Sequence, residues 1–407
     1  MLFNDDGSFT NVALGVCLVL SFFVANILAL FMDYLRKRRI SNALSSLAED
    51  GQVENKTPIC MVTGFLGSGK TTLLNHILES PDLGKKLAVV VNEVGAVSVD
   101  HELIKQNLSD DGSLMVMKNG CMCCVSDGSL GSNELGRILT QLVKLKDQRG
   151  AKLDGVVIEL SGLADPTPTV QTFMSEEFFH TKFYLDSIVC MVDFSNFSGN
   201  FRKDKLRELE RQLVYATLVV LNKSDLIEGQ EDEKQECYDI VSTINSLART
   251  YESTFSKVPL DILLNQNAFN EHAFASTSTS MNAFGADHGH NHNHGREAHV
   301  HTKGIASVSV ITSSEDKMLQ PELLYTWLDD ILKKLKGKLY RCKGIVYLDG
   351  QVLPFVLQGV QSSLRMNQME GGLEPNNCPG NSAIVFIGVG LNQRQLQKGF
   401  DACKLSS

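Results

Sequence analysis

The sequence predicts an α/β protein with a doubly wound, mostly parallel sheet, a smaller α+β domain after it and a transmembrane helix before it. Strand-like and helical segments alternate from Pro58 to Arg249, which is typical of a parallel sheet covered by helices. The first strand runs directly into a glycine-rich loop and then a helix. After residue 303, several strand-like segments follow one another, which indicates one antiparallel sheet.

Length and composition bound the possibilities. The chain has 407 residues, more than one hydrophobic core normally serves, so more than one domain is expected. It is 43% apolar and 21% charged, as globular proteins are. A net charge of -9, without a large basic patch, argues against a nucleic-acid partner. The predicted divisions are a tail (1–11), a transmembrane anchor (12–32), a basic and polar linker (33–56), a nucleotide domain (57–263), a histidine-rich linker (264–303) and a second domain (304–407).

The predicted elements follow hydrophobic periodicity. In the first domain, after a strand at 58–63, we expect strands at 86–92, 113–118, 154–160, 185–193 and 217–222 and helices at 132–148, 203–215 and 232–249. In the second domain, we expect strands at 304–312, 339–348, 352–360 and 382–388 and helices at 319–335 and 392–403.

The segment from Val12 to Met32 has only two polar members, Ser21 and Asn26. As a helix it would be roughly 31 Å long, which matches a hydrocarbon core. Acidic residues precede it and four basic residues, 36–39, follow it. The positive-inside rule then places the amino terminus outside and the rest of the chain in the cytosol, as a single-pass anchored protein. A cleaved signal peptide is the alternative, but it would have basic residues before the apolar run.

The glycine loop has the spacing of a phosphate-binding loop. "PICMVT" reads as a buried strand, and "LLNHILES" continues as a helix until Pro81. In such a loop, backbone N–H groups surround the β-phosphate, Lys70 reaches the β- and γ-phosphates, and Thr71 holds Mg²⁺. The predicted nucleotide-binding residues are Gly64, Gly67, Ser68, Gly69, Lys70, Thr71 and Thr72.

A second acidic strand end agrees with this site. "DGVVIELSG" is an apolar strand that ends in Glu159, whose carboxylate is expected near the water shell of the Mg²⁺ ion. Gly162 follows at a position where its backbone could sense the γ-phosphate. Lys70, Thr71 and Glu159 are therefore the predicted catalytic residues.

The residues at the end of a third strand predict which nucleotide base the protein binds. "LVVLNKSD" ends in Asn-Lys-x-Asp. Asp225 can accept from the N1 and N2 hydrogens of guanine, Lys223 can lie along the base, and Asn222 can tie the loops together. Adenine offers no such donor pair, so GTP is favoured over ATP.

Three cysteines, Cys121, Cys123 and Cys124, lie within four positions in "NGCMCCVSDG". Adjacent cysteines make a poor disulfide, and the other cysteines are scattered, which fits a reducing compartment. Three thiolates suit Zn²⁺, which prefers four ligands, and no fourth cysteine or histidine follows in this loop. That pattern favours a site that must release its metal. A redox-active group or a set of merely buried thiols is the alternative.

Between the glycine loop and Glu159, "VVVNEVGAVSVD" reads as a strand and a loop, in the position of a nucleotide-sensing switch. Glu93, in this segment, is our candidate for the fourth metal ligand and for the residue that positions the attacking water.

The sequence resembles the CobW family of metal-handling P-loop GTPases. Residues 57–263 are similar to its GTPase domain through "GCMCC", "VNEVGAVSVD", "ELSGLADPTP" and "LNKSD". Residues 304–403 are similar to its carboxy-terminal domain through "RCKGIVYLDG", "VLQGVQ" and "NSAIVFIGVGL". The branch of zinc-regulated GTPase metalloprotein activators and the bacterial zinc-homeostasis members look about equally near. The resemblance implies that Zn²⁺ is passed to a client metalloprotein, and that the second domain recognises clients or regulates the GTPase.

The linker 264–303 is polar and rich in Ser, Asn and Gly, as mobile segments are. Alternating histidines on such a chain can gather round Zn²⁺, Ni²⁺ or Co²⁺ without a preformed pocket. A solvated tract with no role is the alternative. The candidate ligands are His288, His290, His292 and His294.

Together these features predict a membrane-tethered GTPase metallochaperone that uses GTP, Mg²⁺ and Zn²⁺. Its expected partners are a client metalloprotein, the membrane and a second copy of the chain as a homodimer. The alternatives are Co²⁺ or Ni²⁺ delivery to a cofactor pathway, a GTP-gated zinc buffer or sensor with negligible turnover, and a redox switch.

Overall fold

The computed structural model describes residues 56–80, 87–92, 114–119, 135, 139–140, 142, 153–175, 182–197, 207–269, 304–312, 318–369 and 381–404. All of them lie within one compact unit, Glu54–Ser407. In these ranges no helix is long and apolar enough to cross a membrane. The predicted anchor at 12–32 and residues 270–303 of the predicted linker 264–303 lie outside the described residues. The first residues of that linker, 264–269, are described and pack on the first domain, since Leu264 is buried and the Ala268 amide donates to Asp186 O at 2.9 Å.

A seven-stranded sheet forms the centre of the first domain, and every adjacent pair in it is parallel. Its order is β3-β2-β4-β1-β5-β6-β7. The strands are β1 (Thr57–Gly64), β2 (Leu87–Asn92), β3 (Leu114–Asn119), β4 (Gly155–Glu159), β5 (Phe183–Asp193), β6 (Leu218–Asn222) and β7 (Arg249–Ser253). The two directions of crossover from β1 make the sheet doubly wound, which confirms the predicted parallel fold.

Central strands and helices follow their apolar patterns. All five residues of β4 and of β6 are buried, as expected for strands covered on both faces. The helices are α1 (Lys70–Glu79), α2 (Thr167–Ser175), α3 (Arg207–Tyr215), α4 (Glu231–Ile244) and the short α5 (Leu260–Leu263). On α1, the buried residues Lys70, Leu73, Leu74 and Ile77 repeat at helical spacing. Within the predicted helix 132–148, Leu135, Leu139 and Leu142 are helical and buried.

The predicted helix 232–249 is wrong at its carboxyl end. The helix ends at Ile244, and Arg249–Ser253 forms the edge strand β7. The cause is Asn245, whose buried side chain donates to the carbonyl oxygens of Leu213 and Ala216 at 2.7 and 2.9 Å. These tertiary hydrogen bonds override the helical pattern, and the mostly polar segment "RTYES" is then free to pair with β6.

The second domain is a five-stranded antiparallel sheet with the order β11-β10-β9-β12-β8. Its elements are β8 (Ile305–Ile311), α6 (Pro321–Lys334), β9 (Leu339–Val346), β10 (Phe355–Val360), β11 (Ser363–Gln368), β12 (Ala383–Val389) and α7 (Gln393–Asp401). The strand β11 is an addition to the predicted set. It follows β10 through a tight turn at Gln361, which has a positive φ of 52° without being the Gly or Asn that usually signals such a turn.

The two faces of this sheet have different neighbours. Ile384 and Phe386 pack under α6 and α7, where Trp327 meets Phe386 edge to face. Val385 and Ile387, which alternate with them, share a hydrophobic core with the helices of the first domain. The second domain therefore lies against α3 and α4 of the nucleotide domain over an apolar face.

Candidate nucleotide and metal site

The carboxyl ends of four adjacent strands lie at one edge of the first sheet. Val62 and Val91 both pair with Glu159, so β1 and β2 flank the acid at the end of β4. Asn92 pairs with Asn119, so the chain leaves β2 and β3 at the same level. The loops after β1, β2, β3 and β4 therefore begin side by side. This is the edge at which open parallel sheets bind ligands.

The phosphate loop connects β1 to α1. Lys70 is the first residue of α1, and its Nζ donates to the carbonyl oxygen of Phe65 at 3.1 Å, so the ammonium lies within the loop. Gly69 has a φ of 104°, and a side chain there would collide with Asn222 and Ser256. Only glycine satisfies both the backbone and the space at this position.

One buried group in this loop fits a phosphate. The side chain of Ser68 is 1% exposed, and its Oγ has no hydrogen-bond partner among the described residues. An unsatisfied buried hydroxyl is rare and costly, so a ligand oxygen at this place would remove the penalty. It lies next to the amino terminus of α1, which attracts anions.

The remaining predicted residues of this edge are oxygen donors close to the phosphate loop. Thr71 is partly buried in the first turn of α1, Thr72 is exposed, and Glu159 is 7% exposed at the end of the strand beside β1. A hydroxyl and a carboxylate are oxygen donors of the kind that Mg²⁺ prefers. When bound, Mg²⁺ supplies positive charge to the phosphates; Thr71 and Glu159 fit as its holders.

Asn222 joins three loops through its side chain. Its Nδ2 donates to Ser68 O at 2.9 Å and to Ser256 Oγ at 3.0 Å. Its Oδ1 accepts from Ser253 Oγ at 3.1 Å and from the Ser256 amide at 2.8 Å. Ser256 Oγ in turn donates to Gly69 O at 3.0 Å. The buried amide of Asn222 thus holds the phosphate loop against the loop that follows β7.

Asn222 begins the base loop, the Asn-Lys-x-Asp segment 222–225 at the end of β6. The other two predicted residues of this loop, Lys223 and Asp225, differ in how firmly their side chains are held. Lys223 has a left-handed φ of 66°, and its Nζ donates to Asp193 Oδ2 at 2.6 Å. Burial alone would raise the pKa of Asp193, but the hydrogen bonds from Lys223, Ser195 and Asn196 outweigh it and lower that pKa. Asp225 is exposed, so its carboxylate is open to a ligand. Lys223 is held in place while Asp225 is left accessible.

The sequence did not point to Asp193, Ser253 or Ser256. Asp193 ends a predicted strand, and a carboxylate at the end of a strand beside the base loop was an available signal. Ser253 ends β7 and Ser256 follows it, and β7 was not among the predicted strands, so no signal could place the two serines next to Asn222.

The segment after β4 is fixed by two side chains of α3. Gln212 is fully buried, and its Nε2 donates to the carbonyl oxygens of Gly162 and Ala164 at 3.2 Å each. Arg211 forms an ion pair with Asp165, which also caps α2 by accepting from the Thr167 amide at 2.9 Å. Gly162 is buried against Leu66 of the phosphate loop. The predicted γ-phosphate sensor therefore touches both the loop and α3.

The predicted metal ligands Glu93, Cys121, Cys123, Cys124, His288, His290, His292 and His294 lie outside the described residues. Within the described ranges, no group of three or more His, Cys, Asp or Glu residues could hold a metal ion. The cysteines found there are buried, and burial raises the pKa of Cys60, Cys190 and Cys342 to about 12. These thiols stay protonated at neutral pH, so they do not suit metal binding.

A parallel sheet with a phosphate loop after β1, an acid at the end of β4 and an Asn-Lys-x-Asp loop after β6 defines a P-loop GTPase, with GTP as substrate and Mg²⁺ as cofactor. Residues 58–252 match the family model "CobW/HypB/UreG, nucleotide-binding domain". Residues 308–404 match "Cobalamin synthesis protein cobW C-terminal domain". The chain belongs to the CobW family.

Similar proteins agree with that assignment. The zinc chaperone YjiA of Escherichia coli (strain K12) is 30% identical over 349 residues, which cover 85% of this chain and 98% of the relative. Zinc-regulated GTPase metalloprotein activator 1 of Dictyostelium discoideum is 34% identical over 247 residues, covering 53% of this chain and 49% of that protein. The crystal structure of Zn(II)-bound YjiA GTPase from E. coli has a TM-score of 0.63 at 24% identity, covering 86% of this chain and all of that one. It shows the same fold.

Proposed function

We propose that this protein is a GTP-hydrolysing zinc metallochaperone, which binds Zn²⁺ on Cys121, Cys123 and Cys124 and passes it to a client metalloprotein. One observation carries the proposal. β2 and β3 are adjacent and end at the same level, with Asn92 opposite Asn119. Glu93 and the cysteine loop start directly after those two residues. The described strand ends that precede these candidate ligands in the sequence therefore lie on the same sheet edge as the phosphate loop and Glu159, which supports the proposal.

We assign the roles in hydrolysis as follows. Lys70 neutralises phosphate charge, and Thr71 and Glu159 hold Mg²⁺, which is supported by Lys70 at the start of α1 and by Glu159 at the end of the strand beside β1. Asp225 reads guanine, and Lys223 and Asn222 fix the base loop. The protein thus contributes positioning and electrostatic stabilisation, which supply most of the rate enhancement in phosphoryl transfer.

The chemistry of the cysteine loop supports zinc as the cargo. Three thiolates and one carboxylate, Glu93, would complete four ligands round Zn²⁺. The relatives named zinc chaperones and the Zn(II)-bound crystal structure of one of them support the same metal. Because the thiols must lose protons on loading, zinc affinity should fall as the pH falls. The histidines of 288–294 would gather metal ions for this site.

The segment 12–32 supports a membrane tether. Its length and apolar character suit a single span, and the basic residues 36–39 favour a cytosolic GTPase domain. We propose that the tether keeps zinc transfer close to one membrane. A homodimer also stays a prediction.

The test is GTP hydrolysis by the full-length chain in a mild detergent, titrated with Zn²⁺, Co²⁺ and Ni²⁺. The parent is compared with a variant in which Cys121, Cys123 and Cys124 are all replaced by Ser. The matched control is Cys403→Ser, at a buried thiol of the second domain whose Sγ donates to Gly399 O at 3.3 Å, a bond that a serine hydroxyl can replace.

We expect zinc to change turnover in the parent and in the control but not in the triple variant. The proposal fails if all three proteins hydrolyse GTP alike whatever the metal. A response to Co²⁺ or Ni²⁺ with none to Zn²⁺ would transfer the assignment to cobalt or nickel delivery. Zinc binding that depends on GTP, with negligible turnover, would make the protein a buffer or sensor.

A further inference from the structure

Phe255 is an exposed aromatic residue in the loop that follows β7. Its side chain is 71% exposed, the largest exposed fraction of any aromatic side chain among the described residues. An apolar ring that is mostly exposed to water gains little from burial in the folded protein. Its position beside the base loop suggests a ligand.

The backbone at this position is unusual and firmly fixed. Phe255 and Ser256 have φ values of 52° and 55°, so two consecutive non-glycine residues are left-handed. Such backbone is unfavourable for an aromatic residue and persists only where neighbours enforce it. Here the enforcing contacts come from Ser256, whose amide donates to Asn222 Oδ1 at 2.8 Å and whose Oγ donates to Gly69 O at 3.0 Å.

The loop of Phe255 and the loop of Asp225 are neighbours. They follow the adjacent strands β7 and β6, in which Ser253 pairs with Asn222. A hydrogen bond of 3.0 Å between Ser224 Oγ and Thr254 Oγ1 joins them directly before the two exposed side chains. The exposed carboxylate of Asp225 and the exposed ring of Phe255 therefore each follow directly after a residue of this hydrogen bond.

We propose that Phe255 stacks on the face of the guanine base of bound GTP or GDP. The inference rests on the base-reading role proposed for Asp225. A carboxylate recognises the hydrogen-bonding edge of a base, whereas an aromatic ring covers its face, so the two side chains have separate tasks. Stacking discriminates little between one base and another, because every base has a π-face. Phe255 therefore contributes affinity, and Asp225 contributes selectivity.

The experiment uses calorimetry to measure the affinities of the full-length chain for GDP and for xanthosine diphosphate (XDP), which carries a different base. Phe255→Asn removes the ring, but asparagine tolerates the left-handed backbone, so the variant should fold. Phe255→Trp keeps a stacking surface. The control, Val352→Ala, removes an apolar side chain that is 96% exposed in the second domain.

We expect Phe255→Asn to weaken GDP binding on the order of 10-fold, while Phe255→Trp and the control bind like the parent. In the Trp variant, nucleotide should also quench the new fluorescence. The chain has one natural tryptophan, Trp327, which packs against Phe386 and Phe400 in the second domain and supplies a steady background. GDP affinity equal to the parent's in Phe255→Asn overturns the inference, and assigns the exposed ring to another partner.

Asp225→Asn separates this failure from that of the base site. It should move the preference from GDP to XDP, because the amide offers a donor where the carboxylate only accepted. In that background, Phe255→Asn should weaken XDP binding by the same factor as it weakens GDP binding in the parent. If Asp225→Asn leaves the GDP preference unchanged, the base site itself is wrong. If it shifts the preference but Phe255→Asn has no effect, only the stacking inference fails.

Discussion

Arg341, on β9 of the second domain, donates from Nη1 to the carbonyl oxygen of Tyr215 at 2.9 Å, where α3 of the nucleotide domain ends. The same nitrogen donates to Ala216 O at 3.0 Å, and the guanidinium lies 5.2 Å from the centre of the Phe269 ring. Burial lowers the pKa of Arg341 to about 10, so the group stays charged at neutral pH. A buried cation thus links the second sheet to the end of a helix, where carbonyl dipoles favour positive charge.

Replacing Arg341 by Met should lower the free energy of unfolding by about 1–3 kcal/mol, because the buried carbonyl of Tyr215 loses this donor. Ala216 O keeps the amide of Asn245 at 2.9 Å, which limits the cost. Urea unfolding measures the change, and Arg394→Met on the exposed surface of α7 is the control. Equal stability of both variants would show that this link contributes nothing.

Asn222→Ala should remove four hydrogen bonds at once and cost about 2–4 kcal/mol of stability. Nucleotide affinity should fall as well, since Ser68 O loses a donor and the phosphate loop loosens. Thermal unfolding with and without GDP separates the two effects. An Asn222→Ala protein that melts like the parent and binds GDP normally would contradict this account.

Gln212→Leu should release the segment after β4. Two carbonyl oxygens, of Gly162 and Ala164, would lose their donor, at a cost of about 1–3 kcal/mol. Because Gly162 lies against Leu66, we also expect slower GTP hydrolysis. Single-turnover kinetics give the rate, and the exposed Gln395→Leu is the matched control. An unchanged rate beside reduced stability would restrict Gln212 to a structural role.

Lys343 gives a prediction for pH. Its Nζ donates to Ala268 O at 2.8 Å, and burial, followed by the nearby charge of Arg341, lowers its pKa to about 7 from an ordinary value of 10.5. Between these two values the unfolded chain binds more protons than the folded one, so stability rises with pH across that window. Below the folded pKa both states are protonated and the penalty is fully present.

Unfolding free energies at pH 7, 8 and 9 test this. The free energy of unfolding should rise more steeply with pH in the parent than in Lys343→Met. The difference should stay below the limit of about 1.4 kcal/mol per pH unit, because the Lys343 side chain keeps some contact with solvent. Identical slopes would mean that Lys343 titrates normally in the folded state.

Local sequence predicted most of the fold because the central strands are buried on both faces and therefore read as apolar runs. β4 and β6 are examples, and the phosphate loop between β1 and α1 has its own spacing. β7 could not be predicted, since an edge strand such as "RTYES" has little apolar content and its helix-ending neighbour Asn245 acts through tertiary contacts. The prediction also missed β11, because the turn before it, at Gln361, contains no glycine to signal it.

The candidate site was predictable where one strand and its own loop define it, as at Lys70, Glu159 and Asn222. It was not predictable where a residue depends on the neighbour of its strand. Ser256 and Phe255 come near the base loop only because β7 pairs with β6. The candidate metal ligands lie outside the described residues, so both their role and their arrangement stay predictions.

The buried hydrogen-bond network of Asn222 has a consequence for how this protein can change over generations. Asn222 and Ser256 direct their side chains inward, to Ser68 and Gly69, whereas Asp225 and Phe255 are exposed. Under the roles proposed above, base recognition and the shape of the phosphate loop therefore depend on different side chains. On these roles, a descendant could acquire a new base preference by a substitution at Asp225, and a new nucleotide affinity by one at Phe255, while it inherits the phosphate loop unchanged.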